Sequence, residues 1–90
     1  MIKSIEEYLD LLKVELSGSD SATIQDALAD AEEHLRVAST SLRERRPDLS
    51  EEEALNQVIE QYGSPDETAS AYREVERRTL PSLAREISHQ

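Results

Sequence analysis

Apolar residues recur at helical spacing over most of the chain, and polar punctuation divides them into segments. Ile5, Tyr8, Leu9, Leu12 and Leu16 fall three and four apart, which predicts a helix from Ser4 to Leu16, with Leu11 and Val14 widening its apolar face. Ser4 and Glu7 match a capping box, and Gly18 between two serines ends the segment. Ile24, Leu28, Ala31, Leu35, Ala38 and Leu42 alternate spacings of four and three, a heptad-type seam on a helix from Asp20 or Ser21 to Arg45. That helix is about 36 Å long at 1.5 Å per residue, the longest in the chain. Ala27, Ala31 and Ala38 would let a neighbouring helix approach closely. The hydroxyl run Ser39-Thr40-Ser41 is a place for a break, because such side chains compete for backbone hydrogen bonds. Arg43, Arg45 and Arg46 suit the negative helix end, and Pro47 stops it.

A third helix is predicted from Ser50 to Tyr62, with a Ser50–Glu53 capping box and a stripe of Ala54, Leu55, Val58, Ile59 and Tyr62. The segment Tyr62-Gly63-Ser64-Pro65-Asp66-Glu67 then ends one helix and starts another. Gly63 suits a left-handed C-terminal residue, Ser64 a cap, Pro65 a first helical position, and Glu67 the reach back to the cap. The fourth helix should run from Pro65 to Arg77 or Arg78 on a thinner face of Ala69, Tyr72, Val75 and Ala71. Leu80-Pro81 breaks it. The expected fold is all-α: a compact bundle of three to four helices with the long second helix as spine. Residues 1–79 form the domain and 80–90 a linker or frayed tail. The residues expected at the heart of the core are Leu12, Leu28, Leu35, Leu55, Ile59 and Tyr72.

Composition narrows the function. Ninety residues allow one domain, and the core must be aliphatic, because the aromatics are three tyrosines with no Phe or Trp. A net charge of −10 argues against nucleic-acid binding. Without cysteine there is no disulfide, zinc-thiolate or thiol nucleophile, and the two glycines are both assigned to helix ends, so no phosphate loop remains. No secretory h-region and no bilayer-length apolar run is present. Between Asp48 and Glu67 lie seven acidic and no basic residues. Beyond Thr68 four arginines face three glutamates, so the sign changes toward the end.

Asp30 and His34 share a helix face four residues apart and offer two metal ligands or an acid–base pair. A zinc site needs three or four ligands and a di-iron bundle a second Glu-x-x-His helix. His89 in the tail is the only other histidine, so a surface pair or a packed imidazole is the favoured reading. A metal- or acid-sensing domain is the minor alternative. No serine sits in a nucleophile elbow, and Ser4, Ser50 and Ser64 read as caps. The expectation is therefore a non-enzyme without metal or cofactor. Arg73, Arg77 and Arg78 form a second basic cluster that can meet an acidic partner or lipid headgroups, where Arg43, Arg45 and Arg46 read as helix-end charge.

The order of pieces resembles a known module. A Tyr8-Leu9-x-x-Leu12 helix is followed by Asp30-Ala31-Glu32-Glu33-His34-Leu35, then Glu53-Ala54-Leu55, then Tyr62-Gly63-Ser64-Pro65-x-Glu67-x-Ala69, and last Ala71-Tyr72-Arg73. Over Ile5 to Arg77 this is similar to the HAAS-type, or permease prefix, domain of bacterial proteins. The resemblance implies an all-helical cytoplasmic domain ahead of transmembrane helices, often encoded beside PadR-type regulators, with a signalling or protein–protein role and no catalysis. Arg77, Arg78 and Arg85 would then lie near the membrane. The chain departs from that layout in carrying no membrane span. The leading expectation is a regulatory or adaptor domain with a protein partner. A free-standing homodimeric helical module, self-associating through the Ile24–Leu42 seam, is the alternative.

Overall fold

The computed structural model describes residues 1–75. Helix α1 spans Ile5–Glu15, α2 Ser21–Arg45 and α3 Glu51–Tyr62. A further helix, α4, covers 65–75, up to the last described residue. The described chain is all-α, as its periodicity requires. Expectations for Leu80, Pro81, Arg77, Arg78, Arg85, His89 and the boundary at 79/80 lie outside the described residues.

The helix starts follow capping chemistry, with two departures. Ser50 and Glu53 form a full capping box, the Ser50 hydroxyl accepting from Glu53 N at 3.1 Å and the Glu53 carboxylate accepting from Ser50 N at 2.9 Å. Asp20 caps α2 by accepting from Ala22 N at 3.1 Å. At α1 the Ser4 hydroxyl accepts from Glu7 N, but the Glu7 carboxylate accepts from Lys3 N at 3.0 Å, one residue outside the box. The second departure is at Ser64 and belongs to the site below.

Helix α2 is unbroken across Ala38 to Ser41. Ser39 donates its hydroxyl back to the Arg36 carbonyl at 3.3 Å, so the side chain joins the helix instead of opening it. The helix ends at Arg45, ahead of Pro47. Arg43 pairs with Glu51 at 3.5 Å and Arg46 with Asp48 at 3.2 Å, tying the α2–α3 connection together on the surface. Leu49, in that connection, is buried.

The core forms where α1 and α3 pack on α2. Tyr8, Leu12 and Leu16 of α1 meet Ala27, Ala31 and Leu35 of α2, and Leu55, Val58 and Ile59 of α3, with Ala69 of α4 closing one end. Two expectations need correction. The most buried line on α2 is Ala27, Ala31 and Leu35, while Ile24, Leu28, Ala38 and Leu42 are half-buried beside it. Alanine at the contact line lets helix axes approach closely, so longer side chains fill the flanks. Of the six residues expected at the heart of the core, Leu28 and Tyr72 are therefore flank positions. Leu11 and Val14 do not widen the buried face of α1: they are 42% and 69% exposed. Val75 on α4 is likewise 59% exposed, and Ala71 is exposed. Asn56 of α3 binds the N-terminal segment by donating its amide to the Ile2 carbonyl at 2.7 Å.

Candidate functional site

A connected set of polar side chains gathers at the Gly63 corner. Gly63 N donates to the Ile59 carbonyl at 2.8 Å and closes α3. Its backbone, at φ 122° and ψ 146°, differs from the left-handed helical cap expected of it: φ is positive but ψ is extended. That region is open essentially to glycine alone, so the need for glycine is stronger than expected and its geometric reason different. The extended ψ turns the Gly63 carbonyl inward, where it accepts the Tyr8 hydroxyl at 2.7 Å. Tyr8 has one proton to give, and a carbonyl only accepts. The Thr68 hydroxyl, 2.8 Å away, therefore donates to the Tyr8 oxygen. Tyr8 and Thr68 are both buried, and a Cβ on Gly63 would stand 3.2 Å from Thr68 Oγ1. Burial, first of all, raises the Tyr8 pKa above its ordinary 10.0.

The new helix starts at Pro65 as expected, with Thr68 N donating to the Ser64 carbonyl at 2.9 Å. Glu67 reaches back and accepts from Ser64 N at 3.0 Å. The Ser64 side chain acts otherwise than the expected cap: its hydroxyl donates to Asp66 at 2.6 Å and faces Glu67 at 3.0 Å. Those hydrogen bonds hold the Asp66 and Glu67 carboxyls below their usual range. Negative charge at this helix start also suits its dipole.

Asp30 and His34 are drawn to tyrosines rather than to each other. Both the Tyr62 and the Tyr72 hydroxyl donate to the same Asp30 oxygen, each at 3.2 Å. The His34 ring lies against the Tyr62 ring, centroids 4.6 Å apart and planes tilted by 32°. Tyr62 in turn meets Tyr8 edge-on at 6.3 Å. Burial, then the Asp30 carboxylate, raises the Tyr62 and Tyr72 pKa values, that of Tyr62 strongly. All three tyrosines of the chain and one of its two histidines thus stand in one array joining α1, α2, α3 and α4. Among the described residues, no three His, Asp or Glu side chains converge to hold a metal ion.

Arg73, expected at a partner or membrane surface, donates its guanidinium to the Glu15 carbonyl at the end of α1. That is a side-chain cap on a helix C-terminus, favoured by the dipole. Arg77 and Arg78 lie outside the described residues. The structure therefore brings Gly63, Ser64, Pro65, Glu67, Asp30, His34 and Arg73 into one neighbourhood and adds Tyr8, Thr68, Tyr62 and Tyr72 to it. Thr68 went unnoticed because a single threonine one turn into a helix carries no pattern. The tyrosines had entered only as apolar positions, although each phenol needs a hydrogen-bond partner when buried.

The arrangement can fix α4 at a set angle. Its polar contacts run to α1 through Tyr8 and Glu15, to α2 through Asp30, and to the α3 terminus through Gly63. Among the described residues no helix is long and apolar enough to cross a membrane. Set against protein-family models, curated protein sequences and solved structures, the chain finds no match in any of the three.

Proposed function

We propose that this chain is a non-catalytic regulatory or adaptor domain that works by protein–protein contact. One observation carries the reading. Tyr8, Asp30, Tyr72 and Arg73 are engaged in locking α4 against α1 and α2, and Tyr62 and His34 join the same array from α3 and α2. A lock of that kind holds the direction of α4. A domain that transmits position needs such a device.

The resemblance to HAAS-type domains gives the proposal its context. On that reading the chain is the cytoplasmic N-terminal part of a bacterial membrane protein in a signalling or transport-regulation system. Arg77 and Arg78 then lie toward the membrane, and nucleic acid is not a partner. The motifs of the sequence support this context.

The test is cross-linking and affinity capture with the intact protein in its own host, wild type beside Gly63→Val. The variant forces a branched side chain into a glycine-only conformation and loosens α4. A defined partner recovered with the wild type and lost with the variant is the expected result. Equal recovery with both, or none with either, counts against an adaptor role for the lock.

A further inference from the structure

We infer that the exposed flank of α2 beside α3 receives a second copy of this chain, the two α2 helices lying antiparallel about a two-fold axis between Val37 and Ala38. This rests on the reading that the chain acts through protein contact, and it names the partner for one face.

Asp30, Glu33, His34, Val37 and Ala38 line a shallow recess of about 290 Å³ on this face. The recess continues along α3, where His34, Ala38, Leu42 and Arg45 face Gln57 and Gln61. Spacings of three and four put Asp30, His34, Val37, Ser41 and Arg45 on one stripe. Val37 sits mid-helix and is 60% exposed, beside the small side chains Ala38 and Ser41. A single exposed valine is ordinary. The charge around it is what selects the occupant.

Helix α2 and its caps are split by sign. Asp20, Asp26, Asp30, Glu32 and Glu33 occupy the first half with no basic residue among them. Arg36, Arg43, Arg45 and Arg46 occupy the second half against Glu44 alone. A two-fold axis between residues 37 and 38 places Val37 opposite Ala38, His34 opposite Ser41, and Asp30 opposite Arg45, with Glu33 one turn from the same arginine. Every contact then occurs twice, as a two-fold interface requires. A parallel pairing would set acid on acid. Among the described residues, Arg36, Arg43 and Arg46 have carboxylate partners within their own chain, whereas Arg45 and Glu33 form no ion pair. A second copy brings Glu33 within one turn of the partner's Arg45 and sets that arginine opposite Asp30, one of whose oxygens already accepts from Tyr62 and Tyr72. A partner of other sequence would have to carry the same split, which a second copy carries by construction. Each chain's net charge of −10 opposes association at long range, but that repulsion is screened beyond about 8 Å at physiological salt, while contact pairs act within it.

The Ile24–Leu42 seam does not serve this purpose, because its Ala31 and Leu35 are buried within the chain. The proposed interface lies on the flank of α2 next to α3, beside that buried line, and shares Ala38 with the seam.

The experiment is sedimentation equilibrium of the full 90-residue chain at high micromolar concentration in about 0.15 M salt. The wild type should shift from one chain mass toward two as concentration rises. Glu33→Arg and Arg45→Glu, both at exposed positions, should each weaken association at least about tenfold, with helicity unchanged by circular dichroism. Mixing the two single variants should restore it, because the doubly basic face meets the doubly acidic one. A wild type that stays monomeric overturns the inference and leaves the adaptor reading to its own capture test. Association that persists unchanged in both single variants, or that mixing fails to restore, overturns it too, since another surface would then be in use.

Discussion

The α2–α3 seam and the α4 corner are held by different physics. Along the seam, Ala27, Ala31 and Leu35 meet Leu55, Val58 and Ile59, with Leu12 and Leu16 of α1 filling the gap. No hydrogen bond between these side chains is needed, and burial of apolar area stabilises them at roughly 25 cal/mol per Å². At the corner, Ala69 is the one apolar residue of α4 that is fully enclosed among those described. The rest of the attachment is directional: Thr68 to Tyr8 to Gly63, Tyr72 to Asp30, and Arg73 to Glu15. Hydrogen bonds contribute only about 0.5–1.5 kcal/mol each net, but they tolerate little angular error. The seam therefore supplies most of the stability, and the corner supplies orientation. This division explains how a short chain with an aliphatic core can hold its last described helix at a defined angle.

The comparison breaks most severely at the seam. Leu35→Ala removes a fully buried side chain between three helices and should destabilise the fold by about 2–5 kcal/mol. In a chain this small, each kcal/mol lowers Tm by roughly 4–8 °C. Denaturant melts followed by circular dichroism should show the whole domain losing stability together. A loss confined to α4 would mean the seam is not the common support.

Gly63→Val should rank next, at about 1–3 kcal/mol, the usual cost of backbone held in a sparsely populated region. Here the distribution is diagnostic. Amide exchange should rise first in 65–75 and only later in α2. Uniform exchange across all helices would erase the distinction between the two regions.

Tyr8→Phe should cost less, about 1 kcal/mol. The Thr68 hydroxyl already lies 3.5 Å from the Gly63 carbonyl and can turn to it once the phenol is gone, so only part of the relay is lost. Thr68→Val combined with Tyr8→Phe removes that rescue but leaves the Gly63 carbonyl without a partner. The pair should cost more than either alone, read in the same melts.

Alkaline pH gives the smallest and broadest effect. All three tyrosine pKa values are raised in the folded state. An acid with a raised folded pKa holds its proton longer when folded than unfolded. Its contribution is therefore complete below the unfolded pKa near 10.0 and declines as pH climbs beyond it. Stability should be flat from neutral pH to about 9 and fall above 10, and Tyr8→Phe should make the fall shallower. A fall of the same depth in that variant would remove Tyr8 from the account. The lowered carboxyls Asp48, Asp66 and Glu67 act with the opposite sign. Their support is present above the ordinary carboxylate range and fades on acidification. They are fully exposed, so solvent screens it.

Helices were legible because their signals are local. The Ser50–Glu53 box, Pro47 and Pro65 act within four residues, and a period near 3.6 needs only its own helix to show. Burial was legible only by side of helix. Leu11 and Val14 obey the period yet stay exposed, because whether another helix covers them depends on elements far along the chain. Leu49 is the converse: buried in a connection that has no period to reveal it. The corner was found as punctuation, while its function as a joint depends on Tyr8 to Gly63, Asp30 to Tyr72 and Glu15 to Arg73. Those partners lie 55, 42 and 58 residues apart, beyond any spacing rule. Glycine at 63 was expected, but its ψ was not, since that follows from where the Tyr8 hydroxyl waits.

The tyrosine array has an optical consequence. With no tryptophan in the chain, its near-ultraviolet absorption and emission come almost wholly from Tyr8, Tyr62 and Tyr72. A phenol bonded to a carboxylate loses its excited-state proton readily and emits weakly. Tyr62 and Tyr72 are both in that condition on Asp30, and Tyr72 leaves it whenever α4 lifts away. Rising tyrosine emission therefore reports the opening of the joint, and the protein carries its own unlabelled gauge of α4 docking.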